Sequence, residues 1–187
     1  MNKINELEKL KQMYINCTSC PLAKLGRTQV VFGCGNPNAK LMLIGEAPGK
    51  NEDIQGEPFV GRAGKLLAQI LESCGINRKD IYITNIAKCR PPHNRTPLPE
   101  ESKACKTLIL EKQIEIIQPK IICTLGSCAT QAILGRPVQI TKERGQTIKT
   151  NLGLILPTLH PAYILRNKTK YKLLAEDIES AIKFSKS

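Results

Sequence analysis

No stretch of this 187-residue chain approaches the roughly 18–20 consecutive apolar residues that a membrane-spanning helix needs. The first residues, Met1 to Lys11, also lack the uninterrupted apolar run of a secretory signal. Ile4, Leu7 and Leu10 stand among charges there, so the segment reads as an amphipathic helix. Both absences point to the cytoplasm and to a protein without a membrane partner. Internal repeats and low-complexity stretches are missing too. Histidine is scarce, with two residues, and phenylalanine numbers three. Acidic residues are few: 16 against 28 Lys and Arg, for a net charge of +12. A soluble domain this basic commonly meets a polyanion, nucleic acid first. A lysine-rich solubilising face would give the same composition.

What is present suits one α/β domain spanning 1–187. The length allows a sizeable core without disulfide staples, and 41% hydrophobic residues is ordinary for a globular chain. Four apolar runs read as buried strands: Lys40 to Glu46, Ile81 to Ala87, Lys120 to Leu125 and Leu154 to Thr158. Helical spacing separates them. Leu66, Leu67, Ile70 and Leu71 mark a helix over Ala63 to Cys74, ended by Gly75. Pro99 with Glu100 and Glu101 starts another, Ser127 caps a short one that stops at Gly135, and Tyr171 to Phe184 forms the last. Strands alternating with helices predict a three-layer αβα sandwich on a mostly parallel, four-stranded sheet. Ligands on such a sheet bind at the carboxyl ends of its strands.

Three unusual segments follow those ends. Gly45 to Gly64 is a long Gly- and Pro-rich loop, in which Glu46, Glu52, Asp53 and Glu57 oppose a simple phosphate cradle. Phe59 in this loop offers a flat face to a base, or plugs the loop. Asn85 sits inside an apolar strand and needs hydrogen-bond partners, from a base edge or from nearby backbone. His160, before Pro161 at a strand end, is a candidate active-site residue.

The eight cysteines suggest metal ligands, reactive thiols or small core residues more than disulfides in a reducing compartment. Cys17 and Cys20 form a CxxC, and Cys89 and Cys105 flank the long loop from Arg90 to Leu98. Four such thiolates suit zinc or an iron–sulfur cluster alike. Cys74, Cys123 and Cys128 fall in apolar patterns and read as core residues. Cys34 has no assignment.

Taken together, GEAPGKNEDIQGEPFVGRAG, TNIAKCRPPHNRTPLPEESKAC and LHPAYILR resemble the three hallmark segments of the family 4 uracil-DNA glycosylases. Their order, spacing and flanking residues agree over nearly the whole chain. The resemblance implies a 4Fe-4S cluster on Cys17, Cys20, Cys89 and Cys105, structural in role, tying the N-terminal segment to the loop after the second strand. It implies a uracil pocket in which Phe59 stacks on the base and Asn85 reads N3–H and O4. Glu46, Ala47 and Pro48 line that pocket, Glu52 lies near the C5 edge, and His160 faces O2. The better-known family 1 enzymes have a water-positioning Asp where Ala47 stands, which leaves Glu46 or Glu52 for that task. Glu46 and His160 are then the expected catalytic pair. No lysine nucleophile is evident, so the expected enzyme is monofunctional and leaves an intact abasic strand.

Leu165 and Arg166 would meet DNA, Leu165 as a wedge replacing the flipped base or, alternatively, as a core residue of its helix. Lys88, Arg90, Arg95, Arg62 and Lys65 are candidate phosphate contacts. The expected partner is uracil-containing DNA, single- or double-stranded, bound by a monomer whose product passes to abasic-site repair enzymes. Two other readings stay open. A relative of the family forms a covalent adduct through a His in a basic insertion, and His93 invites that comparison although the insertion is missing. A non-enzymatic iron–sulfur DNA-binding module would keep the charge and the cysteines without needing Phe59, Asn85 and His160 together.

Overall fold

A computed structural model describes residues 2–187; Met1, the first residue of the expected N-terminal helix, lies outside them. One sheet organises the chain. Its strands are β1 (Cys34–Gly35), β2 (Leu41–Gly45), β3 (Tyr82–Asn85), β4 (Ile121–Leu125), β5 (Ile148–Thr150) and β6 (Gly153–Thr158), in the order β1-β3-β2-β4-β6-β5. The four apolar runs became β2, β3, β4 and β6, and these pair in parallel. The four-stranded expectation is corrected to six strands in a mixed sheet, because β1 and β5 add antiparallel edges. Both were illegible for a physical reason. They are two and three residues long and only partly buried, so neither carries an apolar run.

The helices are α1 (Lys3–Tyr14), α2 (Lys50–Gln55), α3 (Arg62–Ser73), α4 (Pro99–Cys105), α5 (Glu111–Ile117), α6 (Ser127–Leu134), α7 (Ile140–Glu143), α8 (Pro161–Arg166) and α9 (Tyr171–Lys186). A single π-type turn, Lys106–Leu110, joins α4 to α5. Gly126, at φ +91°, caps α6, and Ser127 is its first helical residue rather than its cap.

Strand periodicity divides the core into two layers of contact. Leu43 of β2 and Cys123 of β4 face Leu67, Ile70 and Leu71 of α3 and Leu174, Ile178 and Ile182 of α9. Met42, Ile44 and Ile122 face the other way, onto Leu7 and Leu10 of α1, Ile114 and Ile117 of α5, and Ala129 and Ile133 of α6. Cutting a fully buried Leu or Ile among these, such as Leu67 or Ile178, to Ala would cost about 2–5 kcal/mol. Arg144 and Asp177 tie the far side together. The guanidinium of Arg144 donates to both carboxylate oxygens of Asp177 on α9, and Thr158 of β6 donates to the same group. Among the described residues no helix is long and apolar enough to cross a membrane.

Candidate active site

A cleft of about 730 Å³ opens at the carboxyl ends of β2, β3, β4 and β6. Its walls bring together Glu46, Ala47, Pro48, Glu52, Phe59, Asn85 and His160, all expected in the uracil pocket. Parallel register explains the first meeting. Gly45, the last residue of β2, pairs with Asn85, the last of β3. A Cβ on Gly45 would stand 2.4 Å from Asn85 Oδ1 and 2.6 Å from Phe59 Cζ, so glycine is what lets these side chains close on the strand end. Asn85 is 1% exposed, and its Oδ1 has no hydrogen-bond partner. An orphaned buried oxygen costs about 1–3 kcal/mol, which marks it as an acceptor kept for something that enters the cleft.

Phe59 is both plug and wall. Its ring is buried in the core layer beside α3 and also lines the cleft, 5.8 Å from the His160 ring with the planes at 32°. Its backbone has φ +54°, an unfavourable region for a bulky residue, worth on the order of 1–3 kcal/mol of strain. Carboxylates brace the loop around it. Glu52 Oε1 accepts from the N–H groups of Val60 and Gly61 at 3.1 and 2.8 Å. Asp53, buried, accepts from Thr28 N with both oxygens. Two of the four acids that opposed a phosphate cradle therefore hold backbone: Glu52 that of the loop itself, and Asp53 that of the segment at Thr28 packed against it.

His160 caps α8. Its Nδ1 accepts from Ala162 N at 3.0 Å, so in the neutral ring the proton sits on Nε2. Burial, helped by the Arg166 charge and opposed by Glu52, pulls the imidazole down to about 4. At neutral pH it is thus an uncharged Nε2–H donor on the cleft wall. Gly126 is close behind it, since a Cβ there would lie 2.9 Å from His160 Cβ. Glu46 is half buried on the cleft wall. Beside it is the Cys128 thiol, which burial and the Glu46 carboxylate push up to about 12. Cys128 is partly exposed, which corrects its reading as a core residue; Cys123 is buried as expected and Cys74 only half so.

The four candidate cluster ligands converge from three segments. Cys20 and Cys105 titrate as neighbours, each thiol the main influence on the other, with Cys20 held down and Cys105 pushed up. The Cys89 thiol, raised by burial, feels the charges of Cys20 and Cys17. Arg27 bridges two of them, donating to Cys89 Sγ at 2.7 Å and to Cys17 O at 2.6 Å. Among the described residues no three ligand-type side chains crowd closely enough for a single metal ion. A four-iron cluster makes a different demand, one thiolate at each of four separated irons.

The basic residues separate. Lys88 is fully buried, its Nζ donating to Thr84 Oγ1, to Asn85 O at 2.8 Å and to Gln113 Oε1 at 2.8 Å. That overturns Lys88 as a phosphate contact: its ammonium closes an internal network and cannot reach solvent. Arg95 lines the cleft while donating twice to Glu101, Arg90 donates to Asn94 Oδ1, and Arg62 and Lys65 are exposed. Arg166 and Tyr163 line the cleft, and Leu165 between them is half buried. His93 is exposed in its loop, at φ +55°. Sequence reasoning missed several wall residues. Ile140 and Thr141 arrive from α7 by tertiary placement alone, and neither they nor Arg27 carry a local signal. Tyr163, inside the HPAYILR segment, could have been named.

Comparison with known proteins gives this α/β fold and cleft a class. The family described as the Uracil DNA glycosylase superfamily matches residues 32–182. A type-4 uracil-DNA glycosylase of Thermotoga maritima is 47% identical over 184 residues, covering 96% of this chain and 95% of its own. Those of Sulfurisphaera tokodaii and Saccharolobus solfataricus are 45% and 43% identical, covering 94% and 93% of this chain and 83% and 84% of theirs. The chain belongs to the type-4 uracil-DNA glycosylases of that superfamily.

Proposed function

We propose that the protein flips uracil out of DNA and hydrolyses its N-glycosidic bond, leaving an abasic site for downstream repair enzymes. The observation that carries this is the unpartnered Asn85 Oδ1 at the end of β3, beside Phe59 and His160. Uracil offers N3–H to such an acceptor and O4 to the amide N–H. Cytosine presents the opposite pattern, so the wrong base would leave buried groups unpaired. A base inside a duplex cannot reach a cleft like this, so the nucleotide leaves the stack. Phe59 gives its ring to the flipped base. Glu52 stands near the C5 edge, with Ala47 and Pro48 completing the wall.

As the glycosidic bond lengthens, the sugar gains positive charge and uracil leaves as an anion. The neutral Nε2–H of His160 donates to the charge growing on O2, an electrostatic stabilisation set in place before reaction. Glu46 orients the water that attacks the sugar carbon, since Ala47 has no group for it. Leu165 fills the space left in the stack, while Arg166, Arg62, Lys65, Arg90 and Arg95 meet phosphates. The protein works as a cytoplasmic monomer.

Cys17, Cys20, Cys89 and Cys105 hold a 4Fe-4S cluster, which supplies structural cross-linking and no redox step on the substrate. The electrostatic coupling of Cys20 with Cys105 and of Cys89 with Cys20 and Cys17, and the Arg27 bridge from Cys89 to the Cys17 carbonyl, support that donor set. Purified protein should contain about four irons and four sulfides, lost in Cys89→Ser. The decisive assay is release of free uracil from a uracil-containing oligonucleotide by wild type, Asn85→Ala and His160→Ala. Free uracil with an intact abasic strand, greatly reduced in both variants, supports hydrolysis. A stable protein–DNA adduct would move the function to the covalent relative, and binding without product would leave a DNA-binding module.

A further inference from the structure

Arg78 lies outside every segment assigned to the cleft, in a short 3-10 turn (Arg78–Asp80) leading into β3. Its guanidinium nonetheless reaches the loop that carries Phe59. Nη1 donates to Phe59 O at 2.9 Å, and Nη2 donates to Pro58 O. Nη2 also stands 3.3 Å from Glu57 Oε1 and 3.7 Å from Cys34 Sγ. One planar fork therefore holds two successive carbonyls, with a carboxylate and a thiol fixing its other side.

The same carbonyl is also confined by α3. A Cβ on Gly64 would lie 1.9 Å from Phe59 O, so α3 packs its backbone directly against it. Phe59 has a left-handed backbone that a bulky side chain adopts only when its surroundings hold it there. Arg78 and Gly64 are those surroundings. Release of the 58–59 carbonyls would let φ relax to negative values and swing the ring away from Gly45 and His160.

We propose that Arg78 is a positioning residue for the substrate base: by clamping the carbonyls of Pro58 and Phe59 it sets the angle at which the Phe59 ring faces the cleft. This rests on the reading of Phe59 as the face on which uracil stacks. It also explains the position of Cys34, whose thiol burial pushes up and so keeps neutral against the guanidinium. A lysine could not do the same work, because one ammonium does not present the paired N–H groups that match two adjacent carbonyls.

The test is a double-mutant cycle read by single-turnover uracil release, with affinity for DNA carrying an abasic-site analogue as the control. Arg78→Met should slow release about tenfold, equivalent to about 1.4 kcal/mol, and leave abasic-DNA affinity within about twofold. In a Phe59→Ala background it should slow release no further. Arg78→Lys should fall between, and it carries the cycle if Arg78→Met does not fold. Slowing that multiplies with that of Phe59→Ala, or that is matched by an equal loss of abasic-DNA affinity, overturns the proposal. The levels of failure separate. A wild type that releases no uracil defeats the functional reading, and a Phe59→Ala variant at wild-type rate defeats the stacking role. A slow Phe59→Ala variant beside an unaffected Arg78→Met defeats only the clamp.

Discussion

His160 accepts a hydrogen bond at Nδ1 from the main-chain N–H of Ala162, two residues along α8. The bond fixes the tautomer as well as the angle of the ring, and burial pulls the ring's pKa from 6.5 to about 4. The rate of uracil release should therefore show no acid limb near pH 6.5, the ordinary histidine value; loss should begin only as pH approaches 4. Replacement by Ala should cost about 10²–10³ in rate, the usual effect of removing one preorganised donor. A pH–rate profile that falls with a midpoint near 6.5 would mean that the charged imidazole forms readily in the cleft.

The same depressed value has a consequence for stability. Above pH 6.5 His160 is neutral whether the chain is folded or not. Between pH 6.5 and about 4 the unfolded chain takes up a proton that the folded one refuses, so stability falls with pH across that window. His160→Gln should remove this component and flatten the urea-unfolding free energy between those limits.

Gly45 and Asn85 give a sharper test of the pocket. Gly45→Ala would set a methyl 2.4 Å from Asn85 Oδ1 and 2.6 Å from the Phe59 ring. Uracil release should drop about 100-fold or more, comparable to Asn85→Ala, because the pocket loses an interaction worth about 1–3 kcal/mol together with its shape. Abasic-DNA binding, which needs no base, should remain. Unchanged release by Gly45→Ala would place the base elsewhere.

How much of this was legible follows from where each signal lives. The β2, β3, β4 and β6 strands are short apolar runs, and such runs announce themselves whatever surrounds them. Phe59, Asn85 and His160 were visible as residues out of keeping with their neighbours, an aromatic in a polar loop, an amide in an apolar strand and a rare histidine at a strand end. Lys88 misled because charge beside a functional loop reads as surface. Only the tertiary fold shows that Thr84, Asn85 and Gln113 wrap its ammonium. The α7 wall, Ile140 and Thr141, has no sequence signal because its part in the cleft is purely one of position.

Lys88 supports a prediction of its own. Lys88→Met removes a buried amine, whose pKa burial pulls down to about 7, and leaves Asn85 O and Gln113 Oε1 without that donor. Urea unfolding should show a loss of about 2 kcal/mol, the range for leaving buried acceptors unpaired. An exposed phosphate-binding lysine would instead leave stability within about 0.5 kcal/mol.

DNA contact can be read through salt. Arg166→Ala should weaken DNA binding and reduce the slope of log K against log salt by about one, the signature of one lost phosphate contact. Leu165→Ala should leave that slope unchanged while slowing uracil release from duplex more than from single strands, since only a duplex has a stack to fill. A slope change in Leu165→Ala would assign it to the backbone contacts instead.

The strand order β1-β3-β2-β4-β6-β5 also has a history written into it. As the chain leaves the ribosome, β2 emerges with neither of its neighbours yet made. It gains β3 on one side, then β4 on the other, and the sheet grows outward from its oldest central strand until β6 arrives. The cleft draws one wall from each of these arrivals, and the last to come is the segment from His160 to Arg166. Helix α9, which covers one face of that sheet, follows His160 in the chain, so the scaffold and the cleft are completed together as one folding unit.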